Sequence, residues 1–112
     1  MICEDLLWRY PTNDLVQSNN VDTIIFSTEW WDRWPYTLPH IVEASWAKTL
    51  QVNLIASNVH DAMRNNSGSG IFTTEGAIEY HHDVSKSSKG KLIVAEIPVK
   101  PTKFELETKW ND

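Results

Sequence analysis

Val21-Asp22-Thr23-Ile24-Ile25-Phe26 and, further on, Val52-Asn53-Leu54-Ile55-Ala56 are the two stretches that decide the fold. Both are short, nearly continuous runs of β-branched and apolar residues. Runs of this kind predict strands buried on both faces, as in a parallel sheet. Between them the chain reads as a helix from about Leu38 to Leu50. Thr37 is its expected N-cap, and Pro39 falls in the first turn, where a missing N–H does no harm. Leu38, Ile41, Val42, Trp46 and Leu50 recur at helical spacing and form its expected buried stripe. Before the first strand, Thr12 or Asn13 is placed to cap a short helix through Asp14-Leu15-Val16, which Asn19-Asn20 ends. Earlier still, Met1-Ile2-Cys3 breaks at once into Glu4-Asp5, as the end of a buried strand would. The order strand end, helix, strand, helix, strand implies βαβ units.

The last third changes character. Gly70–Thr74, Ala77–His81 and Lys91–Ile97 are separated by Glu75-Gly76 and by Ser85–Gly90, connectors rich in turn residues. These segments predict antiparallel strands, so the class is α/β with a mixed sheet. Residues 1–99 read as one domain or part of one, and 100–112 as a tail or the start of a following module.

Composition excludes several functions. Ten Lys and Arg against fifteen Asp and Glu leave a net charge of -5, a poor basis for gripping phosphate backbones. No apolar run is long enough to span a bilayer, and the start lacks the basic-then-apolar pattern of a signal peptide. A single cysteine rules out an internal disulfide framework, and six tryptophans argue against disorder.

Cys3 stands where a strand's carboxyl end meets a turn, the place where open α/β sheets carry reactive groups. Two readings apply: a small buried hydrophobe, or a nucleophile whose oxyanion would face the backbone N–H of Glu4. Asp5 reads as fixing the local turn. Trp30, Trp31, Trp34 and Tyr36 form an aromatic loop that either packs in the core or lines a substrate pocket. His60 reads as a structural histidine or a neighbour of the site. His81 and His82 on one strand point to opposite faces, so with His40 and Asp83 they make no shared metal site. Asn65-Asn66-Ser67 is a glycosylation sequon in a polar loop, relevant if the protein is secreted.

The segment Met1-Ile2-Cys3-Glu4-Asp5-Leu6-Leu7-Trp8 resembles the cysteine segment of the nitrilase (carbon–nitrogen hydrolase) superfamily. Val21–Trp30, Glu43-Ala44-Ser45-Trp46-Ala47, Val52–His60, Gly68–Phe72, Tyr80-His81-His82-Asp83 and Lys89-Gly90-Lys91-Leu92 narrow the likeness to the vanin and biotinidase branch. The strings follow in one register from Cys3 to about Ile97. Ser27 and Glu29 depart from the branch's Pro and Ala, so the loop before Trp30 is expected to differ in shape.

The resemblance implies the C-terminal part of an α-β-β-α sandwich. It also implies hydrolysis of a linear non-peptide amide, pantetheine-like or biotinyl, through a thioester on Cys3. The family's other triad members, a Glu and a Lys, lie upstream of the cysteine. The chain is thus expected to be a piece cut just before its nucleophile and inactive alone. No cofactor or metal is implied. The implied partner is a small amide, the parent is extracellular or membrane-anchored, and an exposed sheet face would favour self-association. Trp30, Trp34 and His60 are the expected substrate-binding residues and Asn65 the expected glycan site. The rival readings are a non-catalytic hydrolase-like binding protein and an intracellular nitrilase-like amidase.

Overall fold

The computed structural model describes residues 3–35 and 38–105. The strand end expected before Cys3, Tyr36 of the aromatic loop and the Thr37 cap lie outside the described residues. From Cys3 the chain makes a 3-10 turn, Cys3–Leu7, and then a kinked turn, Arg9–Asn13. The kink is at Tyr10 (φ -108°, ψ 133°), held extended because it precedes Pro11. Then follow α1 (Asp14–Asn19), β1 (Thr23–Thr28), α2 (Pro39–Leu50), β2 (Asn53–Asn58), a 3-10 turn at Ala62–Arg64, β3 (Ser69–Thr73) and β4 (Gly76–His81).

The four strands lie in the order β1-β2-β3-β4. β1 and β2 run parallel, from Thr23 beside Asn53 to Thr28 beside Asn58, with α2 as the crossover. β3 and β4 return antiparallel through the turn at Thr74-Glu75. The class is α/β and the sheet is mixed, as the sequence predicts. At Gly70 a Cβ would collide with the Phe72 ring, so the close passage of the two depends on glycine there.

One face of the sheet carries the core. Ile24, Phe26, Leu54, Ala56 and Phe72 are buried there with Leu6, Val16, Trp30, Ala47 and Val52. β1 does not have two buried faces: its burial alternates, and Ile25 is 71% exposed. The reason is that α2 covers only one side. On the other side Lys91–Ile93 border a cavity of about 290 Å³ with Ile55 and Ile71. Residues 91–97 are not a strand, contrary to the expectation. Ile93, Ala95 and Ile97 are half-buried while Leu92, Val94 and Glu96 are exposed, but among the described residues no neighbouring strand supplies a ladder. Farther along, Asn53 Nδ2 donates to the Pro98 carbonyl at 2.8 Å, and Lys100 Nζ meets Asp22 Oδ2 at 2.6 Å.

The helices differ from expectation in their caps and in the face α2 buries. α1 ends at Asn20 in the left-handed region (φ 52°), as the Asn pair predicts. Its start, however, has no side-chain cap, because Thr12 Oγ1 donates instead to the Asp5 carbonyl at 2.5 Å. In α2 the fully buried residues are Pro39, Glu43 and Ala47, flanked by half-buried Val42, Trp46 and Leu50. Leu38 and Ile41 are exposed. A stripe drawn from apolar residues alone misses this face because a glutamate lies at its centre.

Glu43 is fully buried, and neither carboxyl oxygen has a partner among the described residues. Burial pushes its carboxyl up to about 9. The folded chain therefore keeps this proton at neutral pH, whereas the unfolded chain releases it above the ordinary value of 4.5. Stability should be greatest below that value and fall as pH rises toward about 9, by at most ~1.4 kcal/mol per pH unit. Replacing Glu43 by Met should flatten the dependence and raise stability near pH 7, with little change near pH 4; urea denaturation across this range checks it.

Candidate active site

The parallel pairing of β1 and β2 brings their carboxyl ends to one level, and the chain's chemistry gathers there. Val59 N–H donates to the Thr28 carbonyl at 3.0 Å, continuing the pairing past the strand ends. Beyond Thr28 the chain enters the aromatic loop. Trp30 is fixed by the buried Asn58 side chain. Asn58 Oδ1 accepts the Trp30 N–H at 2.8 Å, and Nδ2 donates to the Trp30 carbonyl at 3.0 Å and the Ser67 carbonyl at 3.1 Å.

Against this loop lies the Cys3 turn. Cys3 is partly exposed and has left-handed backbone geometry (φ 48°), a conformation that costs a non-glycine residue energy. Together they enclose a cavity of about 480 Å³. Cys3, Glu4 and Leu7 form one wall, and Glu29, Trp30, Trp31, Arg33, Trp34 and Pro35 form the other. The lining is mostly aromatic and aliphatic with a few polar groups, the make-up of a small-molecule site. Arg33 lies 5.7 Å from the centre of the Trp31 ring, a cation–π arrangement. Glu29 Oε1 is 3.4 Å from Asn66 Nδ2, which ties the carboxylate to the neighbouring loop.

Cys3, Glu4, Trp30 and Trp34 are therefore around one cavity. His60 is not there. It borders the second cavity, its ring nitrogens 3.2 Å from Ser67 Oγ and 3.0 Å from Ser88 Oγ, its ring 5.1 Å from that of His81. His82 turns to the opposite side, against His40 and Asp32. Among the described residues no His, Cys, Asp and Glu group is arranged to hold a metal. Asn65 is exposed at the end of the Ala62–Arg64 turn.

The sequence reading missed Leu7, Glu29, Arg33 and Pro35 as cavity residues, and Asn58 as the anchor of Trp30. Charges set within an aromatic loop at a strand's carboxyl end are the signal that marks Glu29 and Arg33. For Asn58, the signal is a polar residue closing an apolar strand.

The chain is similar to the pantetheinase of Bos taurus, 34% identical over 99 residues, which is 88% of this chain and 19% of that protein. The pantetheinase of Homo sapiens is 33% identical over 100 residues, 89% of this chain and 19% of its own. The biotinidase of Bos taurus is 30% identical over 99 residues, 88% of this chain and 18% of its own. The chain belongs to the vanin and biotinidase branch of the nitrilase superfamily. It spans about a fifth of the length of these relatives. No protein-family model matches it. Among the described residues of this vanin-like chain, no helix is long and apolar enough to cross a membrane.

Two of the three tryptophans on the cavity wall separate core from pocket. Trp30 is 5% exposed and Trp34 88% exposed. Trp30→Ala should cost about 3–5 kcal/mol of stability, whereas Trp34→Ala should cost no more than about 0.5 kcal/mol. Chemical denaturation of the two variants side by side tests this division.

Proposed function

We propose that the protein is an amidohydrolase that cleaves a small linear, non-peptide amide, with Cys3 as its nucleophile. The observation that carries this reading is the meeting of Cys3 with the tryptophan loop around one cavity, in a chain homologous to pantetheinases and biotinidases. A pantetheine-like amide is the first choice of substrate and a biotinyl amide the second.

In the proposed reaction the Cys3 thiolate attacks the amide carbonyl, with the Glu4 N–H facing the oxyanion. The S–C bond forms, the C–N bond breaks and the leaving amine takes a proton. Water then attacks the thioester, which releases the acid and restores the thiol. The family resemblance supplies a Glu as proton carrier and a Lys beside the oxyanion, both N-terminal to the cysteine. Trp30, Trp31 and Trp34 contribute broad, rigid surfaces for the substrate chain. An extracellular or membrane-anchored protein goes with this reading, and the exposed Asn65 would carry a glycan there.

The test is made on the full-length gene product. Cys3→Ser should fold as before but lower kcat/KM for a pantetheine-type amide by about 10³-fold or more, since an alcohol ionises far less readily than a thiol. Intact mass measured during turnover should show an acyl adduct on the parent protein and none on the variant. Undiminished turnover by Cys3→Ser would sink the assignment.

A further inference from the structure

The loop that walls the Cys3 cavity has little packing to hold it. Trp31 is 53% exposed and Trp34 88%. A cavity wall of that kind keeps its shape only if polar anchors fix the backbone, and three such anchors meet at Asp32.

Asp32 N–H donates to the Asn65 carbonyl at 2.7 Å, tying the loop to the segment before β3. Its Oδ1 accepts the Leu38 N–H at 2.8 Å, which closes the loop on itself. Leu38 is in the left-handed region (φ 53°), a conformation unfavourable for a branched residue, so the bond also secures a strained start to α2. Its Oδ2 lies 2.8 Å from Nε2 of His82, just past the end of β4. The two side chains are only 14% and 16% exposed. A hydrogen bond so sheltered is stronger than one on the open surface, such as that of Arg9 with Asp14. His82 is itself held in place: the His40 ring lies 4.7 Å from it, and His40 stacks on Tyr80 at 4.8 Å with the planes 2° apart.

We propose that Asp32 and His82 are a positioning pair that holds Trp31, Arg33 and Trp34 in place around Cys3 and so sets how tightly substrate binds. The inference rests on the reading of the cavity as an amide-binding site. Neither residue touches the cavity. Their role is to fix the loop that does, and small displacements of positioned groups are expensive in binding and rate.

The experiment uses the full-length gene product labelled with fluorotryptophan, with fluorine resonances assigned by single Trp→Phe substitutions. His82→Ala should shift or broaden the Trp31 and Trp34 resonances and leave that of Trp46, in α2, in place. KM for a pantetheine-type amide should rise about tenfold while kcat stays within about threefold. His82→Gln, which restores an N–H donor near the same point, should recover both the spectrum and KM. Should His82→Ala fail to fold, Asp32→Asn is read the same way, since it keeps an acceptor for Leu38 and loses the carboxylate facing His82. Unmoved Trp31 and Trp34 resonances would overturn the proposal, as would equal movement of every tryptophan. If the unaltered protein hydrolyses neither pantetheine-type nor biotinyl amides, the amidase reading fails, and the fluorine spectra alone decide whether the pair holds the loop.

Discussion

A single buried amide, that of Asn58, satisfies both backbone polar groups of Trp30 and a carbonyl of the segment leading into β3. Trp30 is core and cavity wall at once, so its backbone must leave the sheet without leaving unpaired groups in an apolar surrounding. Water is excluded there, and an unmet N–H or carbonyl costs about 1–3 kcal/mol. Asn58 supplies one acceptor and two donors from a single rigid plane at the last residue of β2. The parallel register that sets Thr28 beside Asn58 delivers it to the right level. Strand pairing, amide clamp and aromatic wall therefore form one chain of dependence, and the cavity exists because the first two hold.

The same geometry separates the two sides of the sheet. α2 lies over the face of Phe26, Leu54 and Phe72, and that face is closed. The opposite face carries Ile25, Ile55 and Ile71 in line, with Lys91–Ile93 bordering a cavity beside Ile55 and Ile71 and Ile25 left in the open. Glu43 shows that the closed face is not optimised for stability alone. A carboxyl without partners among the described residues, at the middle of a buried helix face, is tolerated because it keeps its proton, and the penalty then falls on high pH rather than on folding at low pH.

Much of the fold was legible in the sequence because it is written in local chemistry. The Val21–Phe26 and Val52–Ala56 runs place the two parallel strands to within two residues, and the Asn19-Asn20 pair ends α1. What could not be read locally was burial. The Val21–Phe26 run is as apolar as a doubly buried strand, yet burial depends on what lies across the sheet, which the strand itself does not encode. The 91–97 segment fails for the complementary reason: it is as apolar as a strand, but a strand exists only where a partner's N–H and C=O groups are free to meet it. For the site, the meeting of Cys3 with Trp30 and Trp34 followed from the family likeness and from the rule that strand ends carry chemistry. The part played by Asn58 was marked only by a polar residue closing an apolar strand, and the parts of Asp32 and His82 had no local mark. Their partners lie 28, 6 and 50 residues away along the chain, and only the folded register brings them together.

These distances also separate the parts of the cavity that the fold fixes from those it leaves free. Trp30 and Asn58 are inside the core, and changing either disturbs the sheet. Trp31, Arg33 and Trp34 stand mostly in solvent, so their identity bears little on stability, and surface substitutions of this kind usually stay within about 0.5 kcal/mol. The loop is held at Asp32, whose N–H bonds the Asn65 carbonyl and whose half-buried carboxylate meets Leu38 and His82, rather than by the exposed side chains it displays. A wall anchored in that way can change which molecule it contacts without repacking the interior. Ser27 and Glu29 fit this division. Ser27 lies on the open face of β1, and Glu29 adds a carboxylate to the cavity wall, yet the core residues Phe26, Thr28 and Trp30 around them stay buried. The carboxylate of Glu29 thus stands on the cavity wall while the packing beneath it stays closed.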